Sequence, residues 1–445
     1  MWLIVLLVLA IAFIIFATAK LKLHPFLALL LTAFGFGLLA GMPLGEVVKS
    51  VNDGFGGTIG YIGIVILLGS IIGSFLEKSG GAWRLAESIL SVTGKRNVPM
   101  TMSIMGYVVS IPVFCDSGFV ILSSLNKALA KRAGVTLASG AIALSLGLYA
   151  THTMVPPTPG PIAAAGILGA DLGLVIIWGL VIAAIATFAG WVFAVTVAAK
   201  VDVPPYKEGE EPTLMPSLVD APSPLKSLLP IVLPILLIVL RSIALFPTKP
   251  FGTGVALQAL DFLGQPVVAL LIGFFFALLL PKKLETSMLS GSGWVGEAVL
   301  AAATIIIITG AGGSFGKVLQ NSGIAKMVGE QLSTAHLGIF LPFIIAAGIK
   351  TAQGSSTVAI ITTAGIMAPL LSPLGLDSDT ARALVVVVIG AGSMVVSHAN
   401  DSFFWVVTQF SNMDPKTGYR LQTGGTLVQG LVGAIAVWIS AAIFL

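Results

Sequence analysis

Charge is what this sequence most lacks. Only 9% of its 445 residues are Asp, Glu, Lys or Arg, against roughly 25% in an average soluble domain, while 56% are hydrophobic. No soluble core absorbs that much apolar side chain. There is one cysteine, Cys115, which excludes an intramolecular disulfide. There is no G-x-x-x-x-G-K-[ST] run, so any uphill work must draw on an ion gradient rather than on ATP hydrolysed at a P-loop. The formal charge of +4 is too small to suggest a nucleic-acid partner. No metal site and no cofactor are expected.

What is abundant are long apolar runs. Met1–Ala17, Pro25–Gly41, Asp171–Lys200, Lys226–Phe246, Gln265–Pro281 and Gly424–Leu445 each approach or exceed the roughly 17–25 residues that cross a bilayer. They read as transmembrane helices. The 51 glycines and 24 prolines point past a mere anchor, because helix breakers at membrane depth are tolerated where backbone is buried in protein or lines a polar cavity. Ala17-Thr18-Ala19 resembles a signal-peptidase site. With no charged residue after Met1, and with Lys20 and Lys22 on the far side, the segment reads instead as a retained helix.

The polar interval 201–225 divides the chain into halves, 1–200 and 226–445. Gly69–Glu87 aligns without gaps on Gly312–Glu330, with 7 identities in 19 positions at an offset of 243. In each half an apolar stretch then breaks at small polar residues, Pro112–Gly118 in the first and Lys350–Thr357 in the second. Each arm is too short to span comfortably, so two re-entrant hairpins are expected, over about 98–131 and about 336–371. Beyond each lies a helix broken at a histidine, His152 or His398. Five crossings in the first half are an odd number, which requires the second half to be inserted upside down. The charges agree: 16 of the 23 Lys and Arg fall on the side assigned to the cytoplasm and 7 on the other, placing both termini outside. The expectation is an all-α polytopic membrane protein of about ten transmembrane helices plus two re-entrant hairpins, in two inverted repeats.

Inverted halves with paired hairpins and broken helices are the general pattern of a secondary carrier with a midplane site. The sequence resembles the gluconate permease (gluconate:proton symporter) family of the wider ion-transporter superfamily. The resemblance rests on Lys22–Leu30, Thr151-His152 with Val155-Pro156-Pro157 and Pro159-Gly160-Pro161, Gly169–Gly173, Gly310–Gly313, Gly354-Ser355 with Thr357-Val358-Ala359, and Ser397-His398 with Asn400-Asp401-Ser402. It implies proton symport of a small sugar acid across the bacterial inner membrane, by a homodimer in the lipid bilayer. Two positions depart from it: Asp116 stands where gluconate members carry glutamate, and Thr158 where many have a second histidine. A shorter hydroxy or amino acid such as D-glycerate or D-serine is the alternative cargo. A channel or a membrane-embedded enzyme are the rivals from other classes.

Each polar residue has two readings. Asp116 is an intramembrane acid, rare and usually functional, or a helix cap. His152 and His398 can titrate near neutral pH, or bond carbonyls freed by the breaks. Asn400 and Asp401 face a site or a helix end. Lys350 supplies positive charge for a substrate carboxylate, or snorkels to the surface. Ser117, Thr151, Gly354, Ser355, Ser356 and Thr357 offer hydroxyls and helix N-terminal N–H groups suited to an anion, or merely satisfy bent backbone. Asp116 leads for proton coupling, with His152 second. Gly69, Gly73, Gly312 and Gly316 read as helix-packing positions.

Overall fold

The structure, a computed structural model, describes residues 2–93, 97–206, 221–245, 251–324, 338–398 and 401–445. Among them all regular structure is helical. Lys95, Arg96, Asn400 and most of the 201–225 connector lie outside the described residues. The apolar, Gly- and Pro-punctuated runs fold as the backbone demands in lipid, where each N–H and C=O must find its partner inside its own segment.

Two helices form the centre. Leu137–Met154 is buried at every residue, and Asp379–Met394 is buried throughout its last two-thirds. A helix apolar on all sides belongs in the interior. Around them, Leu44–Lys78 and Trp294–Asn321 pack antiparallel along their length. The Asn321 amide donates to the Ser50 hydroxyl at 2.8 Å, the Ser314 hydroxyl to the Val51 carbonyl at 2.8 Å, and the Ser74 hydroxyl to the Trp294 carbonyl at 3.2 Å. The far end is closed by the Lys78–Glu297 ion pair. The backbones touch at the middle. A Cβ on Gly54 would lie 2.5 Å from the Gly313 carbonyl oxygen.

Several spans differ from the sequence reading. Leu44–Lys78 runs for 35 residues and bends by 42° between Gly60 and Gly63. Pro25–Leu39 has 15 residues, which at 1.5 Å per residue cover about 23 Å, short of a hydrocarbon core of about 30 Å. The segment expected at Gln265–Pro281 is the second limb of a pair, Val255–Leu263 and Pro266–Ala277, broken by 67°. Among the described residues, four helices are long and apolar enough to cross a membrane, or six if each bent pair is one span.

Candidate functional site

Two hairpins and two broken helices converge. In the first hairpin Asn97 caps Val98–Val109 through Met100 N–H at 3.4 Å, and the chain turns through Ser110, whose hydroxyl donates to the Val113 carbonyl at 3.1 Å. The return arm Cys115–Ala133 begins without a side-chain cap and ends at Gly134 in the left-handed region, with Lys131 and Arg132 in its last turn. Cations and an αL glycine are what a helix C-terminus favours. In the second hairpin Phe340–Gln353 stops at Gly354, φ +94°, a conformation that glycine adopts at little cost. Ser355 then caps Ser356–Met367, accepting from Val358 N–H at 3.3 Å.

The broken helices supply the remaining wall. Leu137–Met154 ends at extended Val155 and a cis Pro156–Pro157 bond before Pro159–Leu168. Thr158, the first departure from the family pattern outside the hairpin, closes this turn by donating to the Val155 carbonyl at 2.5 Å. Asp379–Met394 gives way to Ser402–Phe410, whose cap is Asp401, accepting from Phe403 N–H at 3.1 Å.

These elements enclose a cavity of about 290 Å³, at the lower edge of the roughly 300–1,000 Å³ of small-molecule sites. It is lined by Phe114, Cys115 and Asp116, by Tyr149 and His152, by Gly354–Thr357, and by Asp401–Phe403. Three helix N-termini therefore point at one space: Cys115–Ala133, Ser356–Met367 and Ser402–Phe410. Partial positive charge at these ends suits an anion.

Seven of the expected site residues share this cavity: Asp116, His152, Gly354, Ser355, Ser356, Thr357 and Asp401. Lys350, Thr151, Ser117 and His398 do not line it. Lys350 is wholly buried behind Asp401, its Nζ 2.6 Å from Asp401 Oδ2, bonded also to the Gly354 carbonyl and 5.7 Å from the Tyr149 ring centroid. Its charge is matched by Asp401, which stands between it and the cavity where a substrate carboxylate was expected to meet it. Nor does it snorkel. Thr151 donates to the Tyr107 carbonyl at 2.9 Å and ties the broken helix to the hairpin. Ser117 lies near Glu77, and a ring nitrogen of His398 meets the Thr351 carbonyl at 2.8 Å. Asn400 lies outside the described residues.

The electrostatic asymmetry of the cavity is its main chemical feature. Asp401 is held by Lys350, by the Ser397 hydroxyl at 2.6 Å and by the Tyr149 hydroxyl at 3.3 Å. Asp116 Oδ1 and His152 Nδ1 are buried with no hydrogen-bond partner among the described residues. With Asp116 ionised, the acids and Lys350 sum to one negative charge, which repels an anion. With Asp116 protonated they sum to zero. Unpaired buried polar atoms are costly, so both groups are poised for a proton, a ligand or both.

Sequence reasoning missed Tyr149, which bridges Asp401 and the cavity and stacks on Phe403 at 5.1 Å between ring centroids. A signal existed: Tyr149 precedes His152 by three residues, hence on the same helix face. Phe114, 6.0 Å from the His152 ring, carried no comparable signal.

Residues 2–443 match the profile of the GntP family permeases. A gluconate permease of Pseudomonas aeruginosa is 35% identical, over 94% of this chain and 93% of its own length. The high-affinity gluconate transporter of Escherichia coli is 32% identical, over 94% of each. The D-serine transporter DsdX of E. coli is 31% identical, over 97% of this chain and 96% of its own. Among solved structures, the YdaH transporter of Alcanivorax borkumensis superposes with a TM-score of 0.63, covering 94% of this chain and 99% of that one at 16% identity.

Proposed function

The chain belongs to the GntP family of permeases and is a multi-pass inner-membrane transporter rather than an enzyme, and from its cavity we propose that it carries gluconate or a similar small sugar acid inward together with a proton. The observation that carries this reading is Asp116, whose buried Oδ1 has no hydrogen-bond partner among the described residues, opposite a charge-neutral Lys350–Asp401 pair in a cavity closed by three helix N-termini. Helix ends and hydroxyls receive one carboxylate and several OH groups. A second carboxylate, as in citrate, would enter with no unmatched cation to meet it.

Coupling follows from the same charge count. An anion moving towards a negative interior is opposed by about 2.3 kcal/mol per charge per 100 mV, and one co-transported proton removes that opposition. Protonating Asp116 changes the local sum from minus one to zero, so proton and anion favour each other's binding. His152 lies on the same wall and stands second. The antiparallel Leu44–Lys78 and Trp294–Asn321 helices, equivalent by the sequence repeat, support inverted halves, and the 16-to-7 bias of Lys and Arg supports both termini outside. Assembly as a homodimer is part of the same proposal.

D-serine transport is the second reading, favoured by the relative at 31% identity and by the shorter acid at 116. Both readings are tested by a substrate panel in proteoliposomes under an imposed pH gradient. Gluconate should be accumulated, and should compete better than citrate or succinate. Asp116→Asn should abolish pH-driven accumulation while leaving counterflow exchange measurable. Normal pH-driven accumulation by Asp116→Asn would move the coupling role to His152, and a dicarboxylate that competed best would sink the charge balance.

A further inference from the structure

A larger cavity lies elsewhere in the molecule. It encloses about 1040 Å³ between the crossing Leu44–Lys78 and Trp294–Asn321 helices, the end of Pro159–Leu168 and the chain following Ser356–Met367. It contains none of the residues that line the hairpin-tip cavity. Two helices join the two spaces end to end. Ser356–Met367 starts at the small cavity and leads to Ala368 in the large one, and Pro159–Leu168 starts just past the break below His152 and ends in the large one. Twelve helical residues correspond to about 18 Å.

The polar lining is mixed and partly uncommitted. Arg382 is fixed by two backbone carbonyls, its Nε donating to Asp377 at 2.9 Å and an Nη to Gly169 at 3.3 Å. Among the described residues, no carboxylate lies within ion-pair distance of it. Lys317 donates to the Gln320 side chain at 3.0 Å and likewise has no acidic partner among the described residues. Two carboxylates, Asp53 and Asp377, line the same cavity without pairing to either cation, beside Gln320 and Ser372. A guanidinium held by neutral carbonyls keeps its full charge and points in a fixed direction.

We infer that this cavity is the entrance vestibule for the substrate, where Arg382 and Lys317 capture the carboxylate of a polyhydroxylated anion and Asp53, Asp377 and Gln320 accept its hydroxyls. The inference rests on the anionic cargo proposed above. A simple apolar anion would satisfy the cations and strand the acceptors. A neutral polyol would do the reverse. Both arms of the lining are answered only by an acid that also carries hydroxyl groups. Because the vestibule adjoins the outer end of the Ser356–Met367 arm and the tip cavity lies one helix length deeper, a captured anion is held ahead of the transport site. The two cations and two carboxylates of the lining sum to zero, so capture works through the local ion contacts of Arg382 and Lys317, which salt screens.

The test is initial-rate gluconate uptake in proteoliposomes of known orientation, at low and at high ionic strength. For Arg382→Gln and for Lys317→Gln, KM from the vestibule side should rise by about three- to tenfold at low salt. The maximal rate from that side should stay near that of the parent, Vmax/KM from the opposite side should fall by the same factor as detailed balance requires, and the difference should shrink in high salt. Arg382→Lys keeps the charge but not the carbonyl bonds, and should recover most of the loss. If Arg382→Gln lowers the maximal rate equally from both sides and Arg382→Lys fails to rescue, the residue only holds Gly169 and Asp377 in place. An unchanged KM in Lys317→Gln at low salt would overturn the vestibule outright. Should the parent protein not transport gluconate at all, the cargo assignment fails instead, and the two failures are told apart by that control.

Discussion

Replacing Lys350 by methionine removes a fully buried cation whose partner, Asp401, has a side chain only 6% exposed. The geometry sets the scale. Asp401 would retain the Ser397 and Tyr149 hydroxyls and the Phe403 N–H, but its charge would be left in low dielectric with no counter-ion. Breaking one side of a buried pair costs about 3–5 kcal/mol, or roughly two to four decades in the folded fraction at about 1.4 kcal/mol per decade. Asp401→Asn strands the ammonium instead, though asparagine still caps Ser402–Phe410 as well as aspartate does. The double variant strands neither charge. Thermal melting of the four purified proteins in detergent, with gluconate binding measured alongside, should show Lys350→Met and Asp401→Asn both strongly destabilised. The double variant should be less damaged than their sum by about 1.5–3 kcal/mol. Simple additivity of the two losses would refute the ion pair as the tie between the second hairpin and the broken helix.

Further outcomes follow from the same contacts. Cys115 lines the hairpin-tip cavity and is 3% exposed, so a small polar thiol reagent should modify it slowly, and saturating substrate should slow it further; labelling indifferent to substrate would remove Cys115 from the binding space. Gly54→Ala would drive a methyl group to 2.5 Å from the Gly313 carbonyl oxygen, whereas a methyl at Gly56 meets nothing within 4 Å. The first should lower both yield and melting temperature. The second should be neutral or stabilising by about 0.5–1 kcal/mol, and equal behaviour of the two would contradict the close helix crossing.

The sequence by itself determined the membrane class, because the scarcity of charge and the length of the apolar runs leave no other solvent for the chain. It also located the chain's turning points. Glycine and small polar residues interrupt otherwise continuous apolar stretches at Pro112–Gly118, at Gly354-Ser355 and beyond the two histidines, and backbone that breaks in lipid must be satisfied somewhere particular. Helix lengths were less legible. A polar start such as Glu46–Asp53 looks extramembranous by composition, yet it continues the Leu44–Lys78 helix because its partner helix offers Gly313 and Ser314 at the crossing.

What only the tertiary structure decided is which polar groups are already satisfied. Lys350 and Asp401 stand 51 residues apart in sequence, and nothing in either neighbourhood states that they neutralise one another. His152 and His398 sit at matching breaks, yet one faces the cavity with an unpartnered nitrogen and the other meets a hairpin carbonyl. Sequence pattern reports where a charge or an imidazole is carried, through local periodicity. Its partner is fixed by packing between distant segments, and in a low-dielectric interior the partner determines whether the group is a structural tie or remains open to a proton and a substrate.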